Sequence, residues 1–265
     1  PSDPDAPFWR DIAPAHFPVV GQVIAEPRNF NPTVDMITVR AVYTDGEVVF
    51  QGVNSVLPMV AVNLAKRLHA PNMVYINIAG GIDPGPRFLP ESSTDPELAR
   101  GSASIFSNED FYDLAARGGV DTLFLGAVQV DASGRTNVSV IGDHQRPKVR
   151  LPGGGGAAVL MPTARRVIVW RSRHDRRAVV ERLDFVTATG NVDRVVTPLC
   201  LFQRRDGCLQ VESIHPGVTP QQVVANTGFP LAVLADCPLT PPPTPQELQV
   251  LDEIDPKRVR ELEFR

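Results

Sequence analysis

Asp45 to Gly81 reads DGEVVFQGVNSVLPMVAVNLAKRLHAPNMVYINIAGG. Asp45-Gly46 is a turn pair, and Val48 to Phe50 is a short apolar strand behind it. Leu57, Val60, Ala61, Leu64, Ala65 and Leu68 then recur every three or four residues, which predicts a helix with one buried face. Asn54 or Ser55 can cap that helix, Pro58 is tolerated in its first turn, and Lys66-Arg67 suit its negative C-terminal end. Ala70-Pro71-Asn72 stops it. Met73 to Ile78 is a second apolar run, ended by Gly80-Gly81. A strand, a helix and a strand in this order form one β-α-β unit. Open parallel sheets bind ligands at the carboxyl ends of their strands, so both strand ends here point to a candidate site edge.

The rest of the chain extends this unit. Of the 265 residues, 43% are hydrophobic, enough for one main domain with a sizeable core. Residues 1–32 are interrupted by Pro4, Pro7, Pro14, Pro18, Pro27 and Pro32 and read as an N-terminal arm. Residues 33–240 form the α/β domain and residues 241–265 a C-terminal helix and tail. Thr33 to Tyr43 has the spacing of a short helix. Asp83 to Ser104 lacks periodicity and reads as a long loop over the strand ends, a length that usually serves binding or covering. Ser107 to Asp110 opens a helix closed by Gly118-Gly119. Thr122 to Val130 and Val138 to Ile141 read as a hairpin around the turn DASGRT. Further strands are expected at Val167 to Trp170, Asp184 to Val186, Val195 to Phe202 and Leu209 to Ile214, and helices at Thr219 to Gly228 and Thr244 to Ile254. The expected fold class is α/β, an open, mostly parallel sheet flanked by helices.

Composition excludes several functions. The formal net charge is −4, which offers no broad footprint for nucleic-acid phosphates or anionic membranes. The basic clusters Arg165-Arg166 and Arg171 to Arg177 read as solvated element ends. No apolar run reaches the ~20 residues that span a bilayer. The first thirty residues lack a basic start and an apolar signal core, and Cys200, Cys208 and Cys237 show no CxxC spacing. These features argue against a disulfide framework or structural zinc and for a reducing cytoplasm. Cys200 and Cys208 lie in apolar strands and read as inert core thiols.

Direct chemical motifs are few. There is no GxGxxG in strand-turn-helix context, no GxxxxGK[ST], no GxSxG and no HExxH. No metal site is expected. Of five histidines, His144 has the best functional case, in GDHQR between a strand and a glycine run. That run, Gly153, Gly154, Gly155 and Gly156 within LPGGGGAAVLM, can bring backbone amides close to an anion or oxyanion. A flexible connector has the same composition. The strand that follows within a few residues favours a site.

Taken in order, DGEVVFQGVNSVLPMVAVNLAKRLHAPN, LGAVQVDASGRTNVS, LPGGGGAAVLMPTARRVIVW and HDRRAVVERLDFVTATG resemble the β subunit of class I CoA-transferases, of the glutaconate CoA-transferase type. The resemblance spans Thr33 to Val218. It implies the CoA-transferase (NagB/RpiA-like) fold, an α subunit of similar fold, a hetero-oligomer with its active site between the subunits, a coenzyme A thioester as substrate, and no bound cofactor. It also implies a chemistry in which a glutamate attacks the acyl-CoA, forms an acyl anhydride and then carries CoA to a second acid. In the transferases that glutamate ends the strand after the Ala-Pro-Asn turn. Here Ile78 stands in its place, and neither Asn77 nor Ala79 is such a nucleophile.

Asp83 and His144 are the remaining candidates in this chain. Asp83 lies five residues beyond the expected position, a reach of ~15 Å or more along extended chain. SIHPGVTPQQVVANTGF and DPKRVRELEF also resemble the β subunits of the actinobacterial steroid ring-cleaving CoA hydrolases, in which the resemblance places the working carboxylate on the α subunit. The preferred reading is an acyl-CoA enzyme whose nucleophile lies on the partner, with transfer and hydrolysis both open. A catalytically silent scaffold subunit is the alternative, and a stand-alone sugar-phosphate isomerase finds no lysine and acid pattern here. Gly153 to Gly156 are the expected oxyanion or pantetheine donors. Asn54, Ser55, Asn77, Gly80, Gly81 and Gln129 are the expected acyl or CoA contacts, although helix capping and strand-end hydrogen bonding explain Asn54, Ser55 and Asn77 equally well.

Overall fold

The computed structural model describes residues 43–53, 55–232 and 236–264. The proline-rich arm, the expected helix at 33–43 up to residue 42, and Asn54 lie outside the described residues. Nine strands form one sheet, in the order β13, β12, β11, β10, β5, β1, β2, β3, β4. Its centre comprises β1 (Val48–Gln51), β2 (Val74–Asn77), β5 (Thr122–Gly126), β10 (Arg166–Trp170) and β11 (Val192–Val196), all parallel. Antiparallel strands close both edges: β3 (Gly81–Ile82) and β4 (Ser104–Ile105) on one side, β12 (Cys200–Arg205) and β13 (Cys208–Ile214) on the other. The expected α/β fold with an open, mostly parallel sheet is the one observed.

Successive residues of the central strands face opposite sides of the sheet, and both sides are covered, so the strands read as unbroken apolar runs. Val49, Tyr75, Phe124, Ile168 and Trp170 belong to an upper core with helix α1 (Val56–Leu68). Phe50, Ile76, Leu123, Val167 and Val169 belong to a lower core with α2 (Asn108–Ala116), α3 (Ala157–Thr163) and α4 (Pro220–Asn226). The first seven residues of α1 are all buried, so only its last turns are amphipathic. Helix α5 (Pro245–Ile254) and the 3-10 segment that follows it pack on α1 rather than trail away, with Leu251 and Val259 inside the upper core. The buried pair Asp255–Arg260, at 2.8 Å, fixes that corner.

Several expectations are corrected. Thr122 to Val130 is not one strand of a hairpin: β5 is a central strand, and the hairpin is the short pair β6 (Gln129–Val130) and β7 (Thr136–Asn137). Val140–Gly142 forms β8 and pairs instead with β9 (Pro147–Arg150). Val195 to Phe202 is two strands, because Thr197 turns the chain by bonding Cys200 through its Oγ1. Asp184 to Val186 is not a strand, since Asp184 is drawn by side-chain contacts to Gln129. Cys208 is exposed because it begins the edge strand β13, whereas Cys200 is buried as expected.

Candidate active site

Because β1, β2, β5 and β10 are parallel, their carboxyl ends share one edge. The chain leaves β1 for β2 on one side, then places β5, β10 and β11 on the other. The winding reverses between β1 and β5, where open α/β sheets form their ligand crevice. Ile78 follows the last residue of β2, half-buried and packed on the lower core. Gly80 next to it is left-handed, φ +96°, and its carbonyl accepts from Phe106 N–H at 3.0 Å.

The glycine run lies at the same edge, because α3 leads into β10 and so begins at the carboxyl side of the sheet. Gly153 and Gly155 have φ of +93° and +49°, which a side chain would strain. Gly154 and Gly156 have ordinary backbone but no room: a Cβ on Gly154 would meet Thr187 Cγ2 at 2.7 Å, and one on Gly156 would collide with Tyr112 Oη. Gly153 N–H donates to the Val138 carbonyl at 2.8 Å, and Ala157 N–H closes back on the Gly154 carbonyl at 2.8 Å. Gly153 and Gly155 are thus required by backbone geometry and Gly154 by the Thr187 methyl, which is the mark of a fixed loop rather than a slack connector, whereas only the mobile end of the Tyr112 side chain crowds Gly156. The N–H groups of Gly154, Gly155 and Gly156 meet no acceptor among the described residues. Three consecutive unspent amides on a partly exposed loop are donors available to an oxygen anion.

The Coenzyme A transferase family model matches residues 34–226. The chain belongs to the Coenzyme A transferase family. It is 34% identical over 244 residues to the β-type 3-oxoadipate CoA-transferase subunit of Pseudomonas knackmussii, covering 84% of this chain and 93% of the relative. A shorter match, 33% identical over 159 residues, is to the cholesterol ring-cleaving hydrolase IpdB subunit of Rhodococcus jostii, covering 52% of this chain and 61% of that one. Among solved structures, that of the decarboxylase AibA/AibB superposes with TM-score 0.82 at 30% identity, over 88% of this chain and 98% of that chain. The chain is therefore a β-type subunit of a Coenzyme A transferase family enzyme, and enzymes of this family work on CoA thioesters.

In this family member, the other expected site residues separate into two groups. Gly80 and Gly81 form the turn beside Ile78, and Gly81 is wedged against Ser102 Oγ and the Leu98 carbonyl. Asn77 is fully buried, and its amide is spent within the fold: Nδ2 donates to Leu98 O at 2.9 Å, and Oδ1 accepts from Gly81 N–H at 3.2 Å. Ser55 is buried too, makes no side-chain cap to α1, and donates its N–H to Ser93 Oγ on the long loop. Asp83 folds back along β2, where it accepts from Tyr75 N–H at 2.9 Å and pairs with Lys66 at 2.6 Å. That position is two residues short of the strand end, ~7 Å from the edge. His144 is exposed on the β8–β9 turn and stacks on Phe185, with ring centroids 4.7 Å apart.

Gln129 is buried at the centre of a polar platform under the glycine loop. Its Oε1 accepts from Asn137 Nδ2 at 2.7 Å and from Asp184 N–H at 3.2 Å, and its Nε2 donates to Asp184 Oδ2 at 3.2 Å. Asn137 in turn holds Ser139 and Val140, and Ser139 Oγ meets Thr187 Oγ1 at 2.6 Å. The platform orients Val138 and Thr187, the two residues that fix Gly153 and Gly154. Tyr112 and Thr187 were not identifiable from sequence. Each reaches the loop only through the fold, from a distant position in the chain; Tyr112 lies in no recognisable motif, and Thr187 lies within HDRRAVVERLDFVTATG with nothing there to single it out.

The 83–104 loop is tied down by Glu97, which receives hydrogen bonds from Arg87 and Arg100. The Arg87 guanidinium in particular holds its carboxyl down to about 2. Among the described residues no His/Cys/Asp/Glu cluster could hold a metal ion, and no helix is long and apolar enough to cross a membrane.

Proposed function

We propose that this chain is the β subunit of a two-subunit enzyme that breaks a carbon–carbon bond in the acyl group of an acyl-CoA. In this reading the catalytic carboxylate or base belongs to the α subunit, the active site lies between the subunits, and Gly153 to Gly156 hold the thioester oxygen. The observation that carries it is the pairing, at one sheet edge, of the apolar Ile78 with a loop that keeps three amide donors unspent. The glutamate chemistry of the transferases needs a nucleophile where Ile78 stands. Carbon–carbon cleavage needs none there: with water added to a ketone carbon, or with a carboxylate that leaves as carbon dioxide, the breaking bond leaves its electron pair on the carbon conjugated to the thioester, negative charge collects on the thioester oxygen, and a proton then returns to that carbon. What lowers that barrier is donors preorganised for the oxygen.

The ring-cleaving hydrolase and the decarboxylase break such bonds and the 3-oxoadipate relative exchanges CoA, so the relatives accommodate both chemistries and it is Ile78 that supports cleavage over exchange. Gly80 and Gly81 form the floor beside the acyl group, while Asn77, Ser55 and Gln129 shape the site from within the fold. Arg146, Lys148 and Arg150, exposed on the adjoining hairpin, suit the phosphates of CoA. The test is to purify the chain with its α subunit and supply acyl-CoA substrates with acetate in heavy-oxygen water. Label in an opened acyl product, or release of carbon dioxide, supports the reading. CoA on acetate overturns it, and the absence of any turnover favours the scaffold role.

A further inference from the structure

Gln51 ends β1, at the point where the winding of the sheet reverses. Val49 belongs to the upper core and Phe50 to the lower, so alternation turns Gln51 to the upper face, the one that α1 covers. It is 1% exposed, and neither Oε1 nor Nε2 of its carboxamide has a hydrogen-bond partner among the described residues. Its neighbour in register on β2 is Asn77, whose amide is committed to Leu98 and Gly81, and on β5 it is Phe124, which has no polar side-chain atom. A glutamine buried with both ends unpaired costs stability relative to an apolar residue of its size, so the fold itself gains nothing from it.

The same face carries a second such group. Trp170 ends β10 on the far side of β5, and its buried Nε1 is also unpartnered. Between the two, β5 ends in Gly126, which is exposed and shares this face with Phe124. A Cβ on Gly126 would meet nothing closer than the Trp170 ring at 3.7 Å, with Nε1 at 3.9 Å. The edge is therefore open at Gly126, and the strand on either side ends in a buried side chain whose hydrogen-bonding groups are unspent. Two residues beyond Gln51 the chain is exposed, at Val53, so Gln51 lies just inside the rim. Both side chains are uncharged. Neither offers the counter-ion that a buried carboxylate needs, whereas a carbonyl oxygen needs only a neutral donor.

We propose that Gln51 is a specificity-determining residue, whose Nε2 donates a hydrogen bond to an uncharged carbonyl oxygen on the acyl chain beyond the thioester. The proposal rests on the reading that the acyl group lies at this edge, and it adds the residue that tells an oxo-acyl chain from a plain alkyl one.

The experiment uses the complex with its α subunit, wild type and Gln51→Met, a substitution that keeps the length of the side chain and removes its polar end. Dissociation constants for hexanoyl-CoA, 3-oxohexanoyl-CoA and 5-oxohexanoyl-CoA are measured by calorimetry, and thermal midpoints are recorded beside them. Wild type is expected to bind at least one of the oxo thioesters about tenfold more tightly than hexanoyl-CoA. Gln51→Met is expected to lose that preference, to bind hexanoyl-CoA as wild type does, and to keep or raise the thermal midpoint. A preference that survives in Gln51→Met, or binding of all three alike by wild type, overturns the proposal and leaves the reading of the edge standing. A lowered midpoint, or failure of the variant to assemble, shows that the carboxamide is paired within the fold or across the subunit interface and also overturns it. No detectable binding of any of the three by wild type removes the reading of the edge and the proposal together.

Discussion

Ile78 and Gly154 carry the account at the scale of single residues. Ile78 packs on the lower core beside the crevice, and an alkyl side chain can shape an acyl pocket but cannot attack a thioester. Gly154 tests the loop. A valine there would meet the Thr187 methyl, and because Thr187 is itself bonded to Ser139 and Val138, the loop rather than Thr187 must move. Gly154→Val is expected to lower kcat of the complex at least about 100-fold, with the complex still assembling, as measured by steady-state kinetics after co-purification. Asn77 makes the complementary point. Asn77→Ala leaves the Leu98 carbonyl and the Gly81 N–H unpaired in a buried turn, so urea unfolding should show a loss of about 1 to 3 kcal/mol or more. A loss below about 0.5 kcal/mol would mean the amide is not structural.

At the scale of elements, the legibility of the sequence followed the strength of the pattern. Helix α1 was readable from its three- and four-residue apolar spacing, and strands β1 and β2 as short apolar runs bounded by turn residues. The Thr122 to Ile141 region misled because β5 and β6 are separated by only two residues, and alternation continues through the break. The glycine run was visible as composition, but its rigidity was not, since the Val138 carbonyl and Thr187 fix it from distant positions.

The β11–β12 turn holds a further feature that no motif announced. His174 Nδ1 lies 2.8 Å from Thr197 Oγ1 and His215 Nε2 lies 2.8 Å from Thr197 O, with Thr227 and Thr240 as their outer partners. Burial pushes both imidazoles down to about 4, although Asp175 near His174 works in the opposite direction. The unfolded chain, with histidines near 6.5, then binds more protons between these values. Stability is therefore complete above about pH 6.5 and declines as pH falls toward 4, by about 3 kcal/mol per histidine. Imidazole NMR should show neither ring titrating above about pH 5. A midpoint near 6.5 would contradict the structural assignment.

For the molecule as a whole, the proposed function has the sheet edge supply donors for the thioester oxygen and leaves the remaining chemistry to the α subunit. In that proposal, the glycine loop with Ile78 where the resemblance expects a glutamate is a coherent combination for carbon–carbon cleavage. It is not one for CoA exchange, which passes through a covalent CoA adduct on a carboxylate of the enzyme. Intact-mass spectrometry of this chain tests that difference most directly, on the complex quenched during turnover of an acyl-CoA. The chain is expected to keep its unmodified mass while the acyl product remains a CoA thioester. A population of this chain heavier by the mass of coenzyme A less one water, as a side-chain carboxyl joined to CoA in a thioester would be, would contradict it.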